Sequence, residues 1–411
     1  MKANLLTISV LLLLVLLNSC SSLKTAKILS QGSVKQDQFN VEIPFEYRLG
    51  LIILKASIHE KEYDFVLDTG APNVISERLA QELQLVGTIK TKVGDSQGKE
   101  SSLKLTTINQ LEIGGISFEN IGTVIADLDQ SNEIACLGVD GFIGANLMSQ
   151  CVWQFDFDKQ IITISDAKNT QRLSRQNEVI LFRIPFKKSV TGTPLINIKF
   201  GVGIVDANVK VDFGSNGLYN SSMNTYKLLN SNHKITNKIC SYGAKSAGLY
   251  GTGDIDSVQL AMLDSVQING FHYNEMPVDF SDKGEKTLGL KYFRNFKVTL
   301  DWFNSEILFE NERPYKKDEV QTYGIQPYFK DNKIFVGFLY DIPMIRQSGI
   351  EIGNQILEIN GEDLSSVSSE KWCDIINEGL FNTMPDTVSV TILDSDKKEL
   401  TLLLAQQKLF D

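Results

Sequence analysis

The distribution of apolar and polar positions points to short strands joined by glycine-rich turns. Between Ile43 and Leu67 two apolar runs flank the polar stretch His59 to Glu62, a strand–turn–strand pattern that delivers Asp68 to the end of the buried run Phe65-Val66-Leu67. Thr69, Gly70 and Ala71 then turn the chain sharply. Ser76 to Leu83 carries helix-forming residues. Residues 91 to 104 alternate around Gly94 and Gly98, as a hairpin with a mobile tip would, and Leu111 to Ile125 supplies more strand around the Gly114-Gly115 turn. The expectation is a mostly β chain.

The pattern then repeats, and a repeat fixes architecture more firmly than any single element. Val209-Lys210-Val211 leads into Asp212-Phe213-Gly214-Ser215 as Phe65-Val66-Leu67 leads into Asp68-Thr69-Gly70-Ala71. An Ile-Pro-Phe tripeptide precedes each aspartate, at Ile43 to Phe45 and at Ile184 to Phe186. An apolar residue and a glycine follow each, Ile143-Gly144 and Leu288-Gly289, and Asp156 and Asp301 come after those glycines at one common spacing. The segment YGAKSAG, residues 242 to 248, falls where a counterpart of the first hairpin is expected. Two homologous lobes are therefore expected at 41–170 and 171–315, with the polar stretch Asp166 to Glu178 as the linker between them.

The doubled Asp-x-Gly element with its paired hydrophobic-Gly elements resembles the aspartic protease superfamily, specifically bacterial retropepsin-like proteins that carry both lobes on one polypeptide. The resemblance covers 41–315. It implies two acid-protease-type β lobes related by a pseudo-twofold axis, with Asp68 and Asp212 meeting as a catalytic dyad. Thr69, Gly70, Ala71, Gly214, Ser215, Ile143, Gly144, Leu288 and Gly289 would support the dyad. Two carboxylates that close cannot both ionise, and an ionised member can activate a water against a peptide carbonyl; aspartic proteases are the standard example of such a pair. Neither metal nor cofactor is implied. Phe213 departs from the family pattern: it cannot make the reciprocal hydroxyl bond expected of Thr69, so half of a cross-lobe brace is missing. The alternative to an endopeptidase is then a peptide-binding lipoprotein of the same fold with a degraded dyad. In the family a hairpin near residues 91–104 closes over substrate; an ordinary surface hairpin fits the residues equally well.

The two ends of the chain carry separate signals. Residues 1–19 pair Lys2 with an apolar run from Val10 to Leu17, too short for the ~20 residues that span a bilayer, and read as a signal peptide. Leu17-Asn18-Ser19-Cys20 resembles a lipobox, which implies lipid on Cys20, a polar tether over 20–40 and a periplasm-facing membrane anchor in the bacterial envelope. Beyond Tyr315 the composition changes. Residues 348 to 364, SGIEIGNQILEINGEDL, resemble the core of a bacterial PDZ domain, expected over 316–411 with Tyr323-Gly324-Ile325 at the start of its peptide-binding strand. The implied partners are an extended or unfolded polypeptide in the cleft and a C-terminal peptide at the PDZ domain. A net charge of −10 disfavours nucleic acid. Cys136, Cys151, Cys240 and Cys373 form no CxxC pair; Cys136 with Cys151 fits either a bridge within lobe one or apolar burial. The three histidines have no zinc-type spacing.

Overall fold

The computed structural model describes residues 24–168, 180–201, 203–310, 321–379 and 384–410. The expected signal peptide, Cys20 and most of the expected interlobe linker lie outside these residues. Strands dominate throughout the described chain.

In the first lobe Leu51–Ile58 and Lys61–Asp68 form an antiparallel pair with Ile53 opposite Val66. His59 and Glu60 make the two-residue turn, both at positive φ. Phe65 and Leu67 face the main core and are fully buried, as alternation along a strand requires. The helix at Glu77–Glu82 is capped by the Ser76 hydroxyl, which accepts from the Leu79 N–H. The expected hairpin is present as Ile89–Gly94 and Glu100–Ile113. Lobe two repeats the order: Pro194–Phe200 pairs with Ile204–Asp212, a helix follows at Met223–Ser231, and a second hairpin is built from Ile235–Gly243 and Asp256–Leu263.

The copies are joined by one six-stranded antiparallel sheet in the order Ile180–Pro185, Glu306–Glu310, Lys297–Asp301, Val152–Asp156, Ile161–Ser165, Asn40–Pro44. Each lobe gives three strands. The two Ile-Pro-Phe tripeptides close its outer strands, where Pro44 and Pro185 cost no ladder bond to a further neighbour. Trp153, Phe155, Trp302 and Phe309 are fully buried against this sheet, so one apolar core runs through both lobes.

Three findings differ from the sequence reading. The stretch expected as a tether is docked on lobe one. Residues 24–29 are helical, Leu29 is buried beside Val66 and Val124, and Ser33–Val34 pairs with Phe118 and Glu119. Its few apolar residues find a ready surface, which a count of polar residues does not reveal. The hairpin tip, expected to be mobile, is held: Asp95, Gln97 and Lys99 bond to residues of lobe two. Cys136 does not pair with Cys151; it forms a disulfide with Cys373. Cys151 is fully buried at the start of an interlobe strand, and that burial pushes its thiol pKa up.

The described residues of the C-terminal unit form a further β layer with helices at Pro343–Ser348 and Ser369–Glu378. Its strand Lys333–Tyr340 extends the lobe-two hairpin directly, pairing Tyr340 with Ser241 and Phe338 with Gly243. Gly243 is required there, because its φ is 132° and a Cβ would lie 2.2 Å from the Gly337 carbonyl oxygen. Val258, Leu260 and Met262 of lobe two bury their side chains in the core of this unit. With Cys136–Cys373 reaching back to lobe one, the third unit is fixed to both lobes.

Candidate active site

The two aspartates end equivalent strands, and the hydrophobic-Gly elements lie beside them in the same register. Gly141–Gly144 runs parallel to the first aspartate strand with Gly144 opposite Asp68. Thr287–Gly289 runs parallel to the second with Gly289 opposite Asp212. Ile143 and Leu288 are fully buried beneath. Each glycine is dictated by close approach: a Cβ on Gly144 would lie 2.1 Å from the Pro72 carbonyl carbon, and one on Gly289 would lie 2.3 Å from the Gly217 carbonyl oxygen. The Ala145 N–H donates to the Ala71 carbonyl at 2.8 Å and the Leu290 N–H to the Ser215 carbonyl at 2.8 Å, so both aspartate loops are pinned alike.

The loops meet face to face. A Cβ on Gly70 would sit 2.7 Å from the Asp212 carboxyl carbon, and one on Gly214 would sit 2.4 Å from that of Asp68. Only glycine at both positions leaves room for the opposing carboxylate. Asp68 accepts from the Gly70 and Ala71 N–H groups at 2.7 and 3.1 Å, while Asp212 accepts from the Gly214 N–H at 3.0 Å. Asp212 is 7 % exposed and Asp68 is only partly buried. Burial raises the pKa of both. For Asp212 the neighbouring charge of Asp68 adds to burial and pushes the group well above the usual carboxylate range. Asp68 has two N–H donors to Asp212's one and the better access to solvent.

Thr69 bridges the lobes. Its hydroxyl donates to the Val211 carbonyl at 2.7 Å and accepts from the Phe213 N–H at 2.9 Å, both fully inside the protein. Phe213 returns no such bond, as its side chain requires. Its ring instead enters an aromatic cluster, 4.9 Å from Phe155, 5.0 Å from Phe293 and 6.2 Å from Phe157 between ring centres. Phe155 and Phe157 belong to lobe one. The brace expected to be half missing is thus completed by packing, a substitution visible only when residues far apart in sequence are placed together.

The two hairpins meet each other. The Asp95 carboxylate accepts from the Tyr250 N–H at 3.1 Å, the Tyr250 hydroxyl donates to the Val93 carbonyl at 2.8 Å, and the Lys99 ammonium donates to the Thr252 carbonyl at 2.6 Å. Ser246 donates to the Gln97 side chain at 3.0 Å. Sequence reading found the hairpins but none of these contacts, which involve ordinary turn residues.

Of the residues expected in the C-terminal unit, Tyr323 is buried and its hydroxyl donates to the Pro385 carbonyl at 2.7 Å. Gly324 has a φ of 88° and its carbonyl accepts from the Tyr340 N–H. Ile325 opens the strand Ile325–Lys330, whose partner among the described residues is Lys333–Tyr340. Phe329 of that strand stacks on Trp372 of the helix Ser369–Glu378, and the Phe329 carbonyl accepts from the Asn132 side chain of lobe one. Among the described residues no three His, Cys, Asp or Glu side chains are grouped so as to hold a metal ion.

No curated protein matches the chain. Among solved structures it is similar to the crystal structure of a retropepsin-like aspartic protease from Rickettsia conorii, with 21% identity over 32% of this chain and 95% of that one and a TM-score of 0.23. Residues 54–147, which hold Asp68, the first hairpin and Ile143-Gly144, match the family model described as aspartyl protease.

Proposed function

We propose that the chain is an aspartic-type endopeptidase in which Asp68 and Asp212 share one proton. The observation that carries this reading is the meeting of two carboxylates on matching glycine loops, each glycine open only to the opposite acid. Asp68, ionised, takes a proton from a water that attacks the peptide carbonyl carbon. Asp212, protonated, donates a hydrogen bond to the carbonyl oxygen and stabilises the charge that develops there. Proton return to the amide nitrogen then releases the amine as the carbon–nitrogen bond breaks. The hairpins over the site would exclude bulk water and hold an extended chain. The two lobes would relate by a pseudo-twofold axis, in keeping with the paired registers around each aspartate.

The C-terminal unit fits a PDZ-type peptide recruiter, with the strand from Ile325 and the helix Ser369–Glu378 as the groove walls. The leader and Cys20 fit a lipid-anchored protein facing the periplasm, with substrate drawn from extended or unfolded polypeptides and C-terminal peptides. A second reading, a peptide holder without cleavage, is favoured by one observation, Phe213 in place of a hydroxyl. The test is incubation of the purified protein lacking its leader with a mixed-sequence peptide library, alongside Asp68→Asn and Asp212→Asn. Cleavage that disappears in both variants supports the endopeptidase. Peptide binding without cleavage by the wild type would move the assignment to the holder.

A further inference from the structure

Lys210 stands two residues before Asp212, between Val209 and Val211, which are fully buried in the shared core. Alternation along the strand turns Lys210 to the face that carries Asp212. Its ammonium is ion-paired with Glu285, on the segment that enters Thr287–Gly289 beside the same strand, where Lys210 lies opposite Thr287. The Glu285 backbone N–H donates to the Ser96 carbonyl, at the tip of the lobe-one hairpin, at 3.3 Å. One residue thus touches both the tip of the lobe-one hairpin and the lysine two residues before the second aspartate.

The fold does not demand this lysine. At the matching position of lobe one stands Val66, 2 % exposed among Ile53, Val74, Leu105 and Val124. Among the described residues, the neighbouring elements named here bring no further charge to it. Gly141–Gly144 and Thr287–Gly289 have no ionisable side chain, Lys286 is bonded to Asp206, and at the hairpin tip Asp95 and Lys99 are engaged by Tyr250 and Thr252. The charged groups acting on the pair are therefore Lys210, which favours ionisation of both acids, and Glu285, which opposes it at Asp212.

We propose that Lys210 and Glu285 are positioning residues for the dyad: the lysine keeps one carboxylate ionised, and the glutamate holds the lysine and limits its field. The inference rests on the dyad reading above and assigns it an electrostatic setting that only lobe two supplies. Neither residue touches the bond to be cleaved. The expected signature is a displacement of the working pH range, with opposite signs for the two members.

The experiment compares Lys210→Met, Lys210→Arg and Glu285→Gln in the full mature chain. Two readouts are taken: the pH profile of kcat/KM, and the titration of the aspartate carboxyl carbons in protein labelled with 13C-aspartate, assigned with Asp68→Asn and Asp212→Asn. Lys210→Met is expected to move both the profile and the dyad titration to higher pH, Glu285→Gln to lower pH, and Lys210→Arg to restore the wild-type values. Unmoved titrations, or displacement of both variants in one direction, would overturn the proposal. Absence of cleavage by the wild type would remove the endopeptidase reading alone, since the carboxyl titration still decides the electrostatic one.

Discussion

The two lobes use the same strand register for opposite purposes. Behind Asp68 the chain is dry: Val66 lies in an apolar cluster, and the loop beyond it offers a hydroxyl, Thr69, that reaches into lobe two. Behind Asp212 the chain is ionic: Lys210 pairs with Glu285, and Asp206, 2 % exposed, accepts from Tyr219, Ser221 and Lys286. The loop beyond it offers a ring, Phe213, that reaches into lobe one. The backbone frame has been kept in duplicate while the side chains have divided the work. One lobe supplies the polar brace, and the other supplies the apolar brace and the charge.

The largest expected effect comes from the apolar brace. Phe213→Ala empties a fully buried ring site between the lobes and is expected to cost ~3–5 kcal/mol, measured by chemical denaturation. Phe213→Thr, which gives the second aspartate loop the hydroxyl residue of the first, is expected to destabilise as well, because Phe155 and Phe293 are spaced to hold a ring. A Phe213→Thr protein as stable as the wild type would break the comparison.

The polar brace ranks next. Thr69→Val keeps the volume and leaves the Val211 carbonyl and the Phe213 N–H buried without partners, at about 1–3 kcal/mol for each orphaned group. It also frees the two aspartate loops to shift, and a misplacement of ~1 Å is worth on the order of 10²-fold in rate. An unchanged melting temperature and unchanged cleavage in Thr69→Val would remove the hydroxyl from the account.

The aspartate pair links the proposed function to stability. Its acids have folded pKa values raised above the unfolded ones, so the folded state prefers them neutral. That preference favours folding at low pH and is lost as pH rises from the unfolded carboxylate value through the folded one. Asp212→Asn is therefore expected to melt above the wild type near neutral pH, with the gap closing on acidification. A gap that widens on acidification would reverse the sign argued for burial.

The smallest effect is expected at the hairpins. Tyr250→Phe removes one bond to the Val93 carbonyl, about 0.5–1.5 kcal/mol, and should appear as faster amide exchange in the hairpin Ile89–Gly94 and Glu100–Ile113 with little change in global stability.

The backbone frame was legible in the chain because duplication writes the same markers twice, and the Ile-Pro-Phe and hydrophobic-Gly tripeptides and dipeptides landed on equivalent edge and central strands. The aspartate loops were legible for the same reason. What joins distant segments was not. Cys373 lies 237 residues from Cys136 and carries no local mark of its partner. The aromatic site of Phe213 draws on residues from both lobes, so the sequence showed a missing hydroxyl and not its replacement. Lys210 did leave a trace, a charge between Val209 and Val211 at a position where the first copy has Val66, and comparing the copies residue by residue would have found it.

The central claim is that one proton is shared by two aspartates contributed by the two lobes. Its most direct test is kcat/KM against pH for the wild type, Asp68→Asn and Asp212→Asn on one cleaved peptide. The account predicts a bell-shaped wild-type profile, reporting the apparent pKa values of the pair, and loss of cleavage in both variants. Full activity in either variant would contradict it.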